Sequence, residues 1–273
     1  MADRSETIVK CMLLGILLVP LVFASGCGNT KVTVVLTADA GGAKALLEQA
    51  AIKAEVDVAD IASLTVNVTG VVLDRMDGGQ ETLLVEPLEV DLVQLLGVSG
   101  LLTSAEVPPG VYTKIRLGIE NPRLTLLSDP ETVITDIHLT ANSRMFVNTQ
   151  FAIPPNTSTT IQLDFGGIHL VKLGNGGHTL TPQLRATVLV ALTPVSNQGG
   201  VISVDAAAGT MELLIGDSAV TVDISGAAIF LPGDVDTPTG GTGDLVPGTL
   251  VAVEGSVSPS GIIIAATLTV LSG

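Results

Sequence analysis

Aromatic side chains are scarce in this sequence, which has no Trp, a single Tyr at position 112 and an aromatic content of 2%. Carbohydrate sites built on stacked rings are therefore disfavoured, because they need exposed aromatic faces. The chain is nevertheless 47% hydrophobic, so Val, Leu, Ile and Ala must pack its core. Its 273 residues are enough for one large or two ordinary domains.

Basic residues are also few: 12 Lys and Arg stand against 27 Asp and Glu, and the formal net charge is −15. A protein that binds nucleic acid neutralises phosphates with clustered Lys and Arg, so we expect no nucleic-acid partner. Anionic lipid headgroups should repel the body of this protein as well.

The chain has two cysteines, and Cys27 is the more informative because of what precedes it. Basic residues occur near the start, an apolar run follows at 12–23, and small residues at 24–26 stand directly before Cys27. This order predicts a signal peptide over residues 1–26 that is cleaved from the mature protein. The alternative is an uncleaved membrane anchor, but a spanning helix needs about 20 apolar residues. Pro20 and several polar residues dilute the second half of the run.

Cys27 and the small residues before it resemble the lipobox of bacterial lipoproteins. That resemblance implies that Cys27 carries fatty acids such as palmitate, that residues 27–30 form a lipidated tether, and that the lipid makes the membrane a partner. Several acyl chains exceed the two signals needed for stable anchoring. Gly28 stands where an inner-membrane retention signal would have Asp, so the outer membrane is favoured if the cell has two membranes. Three residues before the cysteine, Leu is the more usual residue of a lipobox, whereas this chain has Ala24.

Alternating apolar and polar segments separated by turn residues fill residues 31–193. They predict an all-β fold, an immunoglobulin- or prealbumin-like β-sandwich. One inserted helix is expected at 42–56, where Ala and Leu recur at three- and four-residue spacing. The main strands are expected at 31–37, 64–74, 111–120, 132–139, 144–153, 159–165 and 179–192, with a short strand and a helical turn capped by Asp91 within 87–96.

Local signals refine these strands. Gly70 is expected to form a bulge, and turns are expected at 77–79 and 108–110. Strict alternation after the second turn predicts one face made of Val111, Thr113, Ile115 and Leu117, and an opposite face made of Tyr112, Lys114 and Arg116.

The composition changes at 194–200, where Pro, Ser, Asn and Gly predict a linker between two domains. Residues 201–273 then restart the strand and turn pattern, with about six strands that suit a small β-barrel closed by its last two strands. A Gly- and Asp-rich segment at 232–244 interrupts this second pattern and is predicted to be a mobile loop.

Three segments resemble a family of bacterial and archaeal lipoproteins catalogued as domain of unknown function 4382. They are VPPGVYTKIRL at 107–117, FAIPPNTSTTIQLDF at 151–165 and LVKLGNGGHTLTPQLRATV at 170–188. The resemblance covers about residues 31–192, treats the 42–56 helix as an insertion, and implies a sandwich architecture without implying a reaction. Gly166 and Gly167 stand where the family continues with more polar residues.

Residues 200–271 resemble a second small β module of exported bacterial proteins, also of unknown function. GVISVDAAAGTMEL, LVPGTLVAVEGSV and IIIAATLTV carry this resemblance. The module is similar to an oligonucleotide/oligosaccharide-binding fold, but the aromatic platform and basic groove that such a fold uses for nucleic acid are absent.

Candidate chemical groups are few. The three histidines are His138, His169 and His178. Asp136 and His138 are expected on one strand face, where His169 could join them, yet none has the spacing of a metal motif. Asp164 is more readily explained as an acceptor that satisfies backbone groups than as a catalytic acid. Weak calcium ligands are Asp234, Asp236 and Asp244, which lack the bidentate Glu of a helix-loop-helix site.

No nucleophile elbow, P-loop or dinucleotide fingerprint is present in the sequence, and no cofactor is expected. After cleavage before an acylated Cys27, the mature body has no thiol for catalysis or for a disulfide. We therefore expect a lipid-anchored cell-envelope binding or structural module that recognises an envelope or extracellular protein or polymer and is not an enzyme. The alternatives are a ligand- or divalent-cation-binding lipoprotein that uses loop 232–244 and, third, an envelope hydrolase.

Overall fold

The computed structural model describes residues 30–38, 60–140, 144–173 and 177–272. The predicted signal peptide at 1–26, Cys27 and the predicted helix at 42–56 lie outside these ranges. Within them almost every regular element is a β-strand, which confirms the all-β prediction.

The first eleven strands belong to the sandwich. They are β1 Lys31–Ala38, β2 Ile61–Arg75, β3 Gln80–Leu84, β4 Leu88–Asp91, β5 Ser99–Glu106, β6 Gly110–Leu126, β7 Asp129–Ile134, β8 Ile137–Leu139, β9 Arg144–Ile153, β10 Ser158–Lys172 and β11 His178–Val188. Sheet I has the order β5-β1-β10-β11-β8. Sheet II has the order β3-β2-β6-β7, with β4 also pairing with β2 and β9 with β6.

The two sheets bury one shared apolar core. Leu36 and Phe165 of sheet I belong to the same buried cluster as Leu73, Ile115 and Leu117 of sheet II. Branched aliphatic side chains dominate this cluster, as the scarcity of aromatic residues requires. The sandwich architecture therefore follows from two sheets that each have one apolar face.

The remaining strands form a closed barrel: β12 Thr193–Asp205, β13 Thr210–Ile215, β14 Ser218–Asp223, β15 Ala228–Phe230, β16 Leu250–Val257 and β17 Ile263–Ser272. Pairing runs β12-β13-β14-β17-β16 and returns to β12, with β15 added to β17. β14 and β17 are parallel, and the other pairs of the ring are antiparallel. The barrel encloses its own apolar cluster, which includes Leu213, Val253 and Leu268.

β1 lies between the two cores. Its alternate residues Val32, Val34 and Leu36 face the sandwich core, whereas Val35 belongs to the barrel cluster together with Leu101 of β5. Every residue of β1 after Lys31 is buried, because the barrel covers the outer face of sheet I at this point. A strand with both faces covered is apolar or β-branched along its length, as this one is.

Direct hydrogen bonds fix the barrel to the sandwich. The Leu101 N–H donates to Asn197 Oδ1 at 2.6 Å, and the Thr160 N–H donates to the Pro259 carbonyl at 2.9 Å. The Ser104 N–H donates to Ser218 Oγ at 3.0 Å. Because Asn197 is buried, its contact belongs to the interior of the molecule.

Residues 194–200 are a strand and not the predicted linker. They form the first half of β12 and pair continuously with 250–256 of β16. Gly199 explains the misleading composition, because a Cβ at this position would collide with the Leu214 carbonyl oxygen. The glycine therefore permits close packing, whereas the sequence pattern suggested flexibility.

Strict alternation also fails along β6. Tyr112 is buried in the core with Ile115 and Leu117 and does not share the face of Lys114 and Arg116. Thr113 is an extra residue opposite β2, where Arg75 pairs with Tyr112 and Asp74 with Lys114. This bulge shifts the residues before it to the other face of the sheet.

Other local predictions have mixed outcomes. The bulge at Gly70 is confirmed by a register shift between Val68 and Gly70. The predicted strand at 132–139 is wrong in detail, because β7 and β8 belong to different sheets. The predicted helical turn after Asp91 is a non-helical turn, in which Asp91 Oδ1 accepts hydrogen bonds from the N–H groups of Leu64 and Val93.

Candidate functional site

The group of Asp136, His138 and His169 that the sequence predicts includes a histidine, His169, whose side chain lies outside the described part of the structure. His138 of β8 pairs with Thr179, whereas His178 of β11 pairs with Ile137. Because neighbouring residues of a strand alternate between faces, His138 and His178 lie on opposite faces of sheet I. His169 pairs with Thr181. Among the residues that the structure describes, no three His, Cys, Asp or Glu side chains are grouped to hold a metal ion.

His178 is a buried residue. Burial lowers the pKa of its imidazole, the positive charge of Lys172 lowers it further, and the nearby Asp136 opposes both effects. Its Nδ1 is buried and has no hydrogen-bond partner in the described part of the chain. The neutral ring therefore acts as a core side chain.

Asp164 lines a cleft of about 240 Å³ where the sandwich meets the start of β12. Thr37, Ser99 and Gln162 are among the other lining residues, and Thr193 and Pro194 close the barrel side. No histidine is among the described residues that line it. Asp164 therefore does not combine with His138 or His178 into an acid–base site there.

The acidic loop uses its carboxylates for its own structure. Asp234 Oδ2 accepts hydrogen bonds from the N–H groups of Leu231 and Thr239, both at 2.9 Å, and these bonds lower the pKa of Asp234. Asp244 Oδ2 accepts a hydrogen bond from the Gly241 N–H at 2.8 Å and closes the 3-10 turn Thr242–Asp244. Asp236 is exposed and does not share these contacts. The arrangement is an ordered loop without convergent carboxylates.

The amino-terminal end of the body is well defined. The Thr30 carbonyl accepts a hydrogen bond from the Val107 N–H at 2.9 Å, and Thr30 Oγ1 accepts one from the Asn156 N–H at 3.1 Å. The chain therefore enters the sandwich beside the turn that follows Ile153, the last residue of β9. None of the helices in the described ranges is both long and apolar enough to cross a membrane.

A surface that the sequence did not single out lies on the outer face of sheet II. Three rows cross β2, β6 and β9 there: Asp74, Lys114 and Asn148; Val72, Arg116 and Phe146; and Gly70, Gly118 and Arg144. The Phe146 side chain is 56% exposed, and Lys114 Nζ lies 5.0 Å from the centre of its ring. We call these nine residues the basic face.

The basic face contains a cleft of about 330 Å³. Gly70 and Gly118 line it where larger side chains would fill it, and Arg116, Arg144 and Phe146 are at its sides. Thr69 Oγ1 would lie 2.6 Å from a Cβ at Gly118, so the glycine permits this close approach. The cleft therefore combines a largely apolar floor with two guanidinium groups.

One ion pair organises the basic face. Asp74 accepts hydrogen bonds from Arg116 Nε at 2.9 Å and from Arg116 Nη2 at 2.6 Å. The hydrogen bonds from Arg116 lower the pKa of Asp74, despite the opposing effect of burial. Lys114 Nζ lies 4.0 Å from the same carboxylate. Two cations thus share one carboxylate, while Arg144 has no ion-pair partner among the described residues.

β9 is an open edge of sheet II. It pairs with β6, and no other strand pairs with it in the described part of the chain. β11 approaches β9 across the side of the sandwich without forming a ladder with it. Thr149 and Gln150 together oppose Thr113, so this bulge ends the regular edge after Asn148. The edge at 144–148 therefore presents unpaired backbone groups beside the basic face.

Part of this surface was visible in the sequence. The prediction that Lys114 and Arg116 face away from Ile115 and Leu117 is confirmed. Arg144 and Phe146 were missed, although the alternation over 144–153 is a signal that could have found their exposed row. What the sequence could not give is the pairing partner. Only the register between β6 and β9 brings Arg116 and Phe146 into one row.

Residues 53–182 match the family described as Domain of unknown function (DUF4382). The matched range lies within the expected 31–192 and contains β2 to β10, and therefore the whole basic face. It ends within β11, before the barrel begins. No curated protein matches the chain.

Proposed function

We propose that this protein is a lipid-anchored module of the cell envelope that binds a partner protein along the edge of β9 and carries out no catalysis. The observation that supports the binding site is the open edge at 144–148, which lies beside exposed charged and aromatic side chains. An extended segment can add to such an edge through main-chain hydrogen bonds, with side-chain contacts on the sheet face giving specificity.

The anchor in this proposal is fatty acid on Cys27, in the outer membrane if the cell has two membranes. From Cys27 to Thr30 the chain spans at most about 11 Å, so the lipid would hold the Thr30 end of the sandwich close to the bilayer. β9 begins at Arg144 and ends at Ile153, and the turn after Ile153 lies beside Thr30. A strand of this length separates Arg144 from the tethered end by about 25–30 Å.

The anchor can be tested by metabolic labelling with a fatty-acid probe. Wild-type protein should incorporate the label and partition into detergent, whereas Cys27→Ala should do neither because the acylated sulfur is lost. Cys11→Ala is the matched control and should be labelled as wild type. Label that persists in Cys27→Ala contradicts the anchor.

The binding edge can be tested by pull-down from the protein's own envelope extract with two proline variants, Val147→Pro and Asn148→Pro. Adjacent residues of an edge strand direct their N–H groups in opposite directions, so one proline removes an outward N–H and the other breaks the ladder with β6. Thermal melting identifies the variant that keeps its fold. The variant that keeps its fold has lost only an outward N–H, and it should no longer capture the partner protein. Capture of the partner by this folded variant contradicts the β9 edge as the binding site.

The absence of catalysis is tested with a hydrolase substrate panel on the same protein and on a variant in which His138, His169 and His178 are replaced by Ala. The proposal expects no turnover by either protein. Turnover by the wild type that disappears in the triple variant would contradict the proposed binding module and show that the protein is an enzyme.

A further inference from the structure

We infer that the segment bound at the edge of β9 is acidic, with one of its carboxylates held by Arg144 next to the Phe146 ring. This inference rests on the proposed strand addition and specifies its partner. Its starting observation is that Arg144 is exposed on the edge strand and has no ion pair among the residues that the structure describes.

The basic face contrasts with the rest of the molecule. Lys114, Arg116 and Arg144 are three of only 12 Lys and Arg residues in a chain with a net charge of −15. They occupy neighbouring rows on one sheet face, where Lys114 and Arg116 share the single carboxylate of Asp74. A positive surface on an otherwise acidic protein favours an acidic occupant and disfavours a basic one.

The two arginines have different tasks. Arg116 is committed to Asp74 through two hydrogen bonds, so its guanidinium is fixed at one side of the cleft. Arg144 lies in the next row, opposite Gly118, and has no ion pair within the described ranges. Its planar guanidinium can therefore donate two hydrogen bonds to a carboxylate, in the bidentate geometry that arginine favours.

The cleft beside Arg144 provides the apolar part of the contact. Gly70 and Gly118 leave space over the sheet, and the exposed Phe146 ring forms one wall. A bound strand directs alternate side chains to this face. One of them can therefore place a carboxylate at Arg144 while another places an apolar or β-branched side chain over the cleft. Glu120, an exposed residue further along β6, would repel an acidic side chain placed beyond the Gly118 row.

The position of the basic face argues against the membrane as its occupant. Thr30 and the turn after Ile153 are at one end of β9, and Arg144 is at the other. The lipid tether would hold the first end at the bilayer, about 25–30 Å from Arg144. Electrostatic attraction to headgroups falls off within a Debye length of about 8–10 Å. With β9 directed away from the bilayer, the basic face lies beyond this range, which favours a partner protein as its occupant.

The experiment is fluorescence anisotropy with the full-length protein in detergent micelles and labelled model peptides of about ten residues, long enough to cover one strand. A Glu/Thr alternating peptide is the probe, and a Lys/Thr peptide tests charge. A Glu/Pro peptide keeps the acidic charge but cannot pair as a strand. The protein variants are Arg144→Ala and, as the control with the same loss of charge on an exposed strand residue, Arg185→Ala.

The expected result is binding of the Glu/Thr peptide, weakened about tenfold by Arg144→Ala, which corresponds to 1.4 kcal/mol. Arg185→Ala should leave the affinity unchanged, and the Lys/Thr and Glu/Pro peptides should not bind.

Binding of both Thr peptides, or no effect of Arg144→Ala, overturns the acidic partner but leaves edge binding intact. Equal binding of the Glu/Pro peptide overturns strand addition and assigns a site for polyanions. Absence of binding by either Thr peptide overturns the inference, while the proline pull-down still decides the edge.

Discussion

Tyr112 shows at the scale of one residue why a sequence pattern can misplace a side chain. Its hydroxyl donates a hydrogen bond to the Pro108 carbonyl at 2.7 Å, and its ring stacks on Phe151 with centroids 5.7 Å apart. Burial raises the pKa of its phenol, so the hydroxyl stays protonated as a donor. The alternation after 110 placed this ring on the same face as Lys114 and Arg116, because a bulge at Thr113 leaves no signal in local composition.

The pKa of His178 gives the first prediction. Its folded-state pKa lies below the unfolded value of about 6.5, so folding favours the neutral ring. The unfolded chain binds the proton more readily, and the stability present above pH 6.5 is lost as the pH falls through the lowered pKa. The melting temperature of wild type should therefore fall between pH 7 and pH 5.

Two variants separate this effect from general acid destabilisation. His178→Phe should reduce the fall in melting temperature over this range, because it removes the buried titrating group. His138→Gln should keep the wild-type fall, since His138 is exposed. An identical pH profile for His178→Phe and wild type would contradict the assignment.

At the scale of elements, two adjacent glycines of β12 test whether residues 194–200 form a packed strand. A Cβ at Gly199 would collide with the Leu214 carbonyl oxygen, whereas nothing lies within 4 Å of a Cβ at Gly200. Gly199→Ala should therefore cost about 1–3 kcal/mol of unfolding free energy through overpacking. Gly200→Ala should change it by less than about 0.5 kcal/mol.

Denaturant unfolding of the two variants measures this difference. A flexible linker at 194–200 would tolerate both substitutions equally, so equal stabilities would support a linker and contradict the strand. The sequence predicted most strands of the molecule correctly, because their apolar residues alternate. It failed at 194–200, since a glycine that allows close packing and a glycine that allows flexibility look the same without the neighbouring strand.

At the scale of the whole molecule, the sandwich and the barrel should unfold together. Val35 and Leu101 place sandwich side chains in the barrel cluster, and the buried Asn197 accepts a hydrogen bond across the interface. Removing the barrel would expose both apolar side chains and leave the Leu101 N–H unpaired. Such a shared interior favours one cooperative transition.

Differential scanning calorimetry tests this coupling. The body should unfold in one transition whose calorimetric and van't Hoff enthalpies agree. Asn197→Ala should lower the transition temperature, because a buried donor without a partner costs about 1–3 kcal/mol. Two well-separated transitions in the wild type would contradict a common interior and favour two independent domains.

The proposed binding site, unlike the strands, depends on a juxtaposition that no local pattern contains. The strands were predictable because their signals lie within short segments, whereas the lipidation of Cys27 stays a prediction. Arg116, Gly118, Arg144 and Phe146 come from distant parts of the chain, and the β6–β9 register brings them together. The sequence-based candidates were residue types with known chemistry. In the structure, Asp234 and Asp244 accept hydrogen bonds from the backbone of their own loop and do not converge on a ligand.

The most direct test of the binding edge is amide hydrogen exchange of the full-length protein in detergent, with and without the Glu/Thr peptide. Strand addition pairs the outward N–H groups of β9, so amides within 144–148 should become protected on binding. Amides of β6, which already pair with strands on both sides, should change little. Protection at 144–148 is the predicted result. Saturating peptide that leaves these amides unprotected, or protects only the barrel or loop 232–244, would contradict the proposed function.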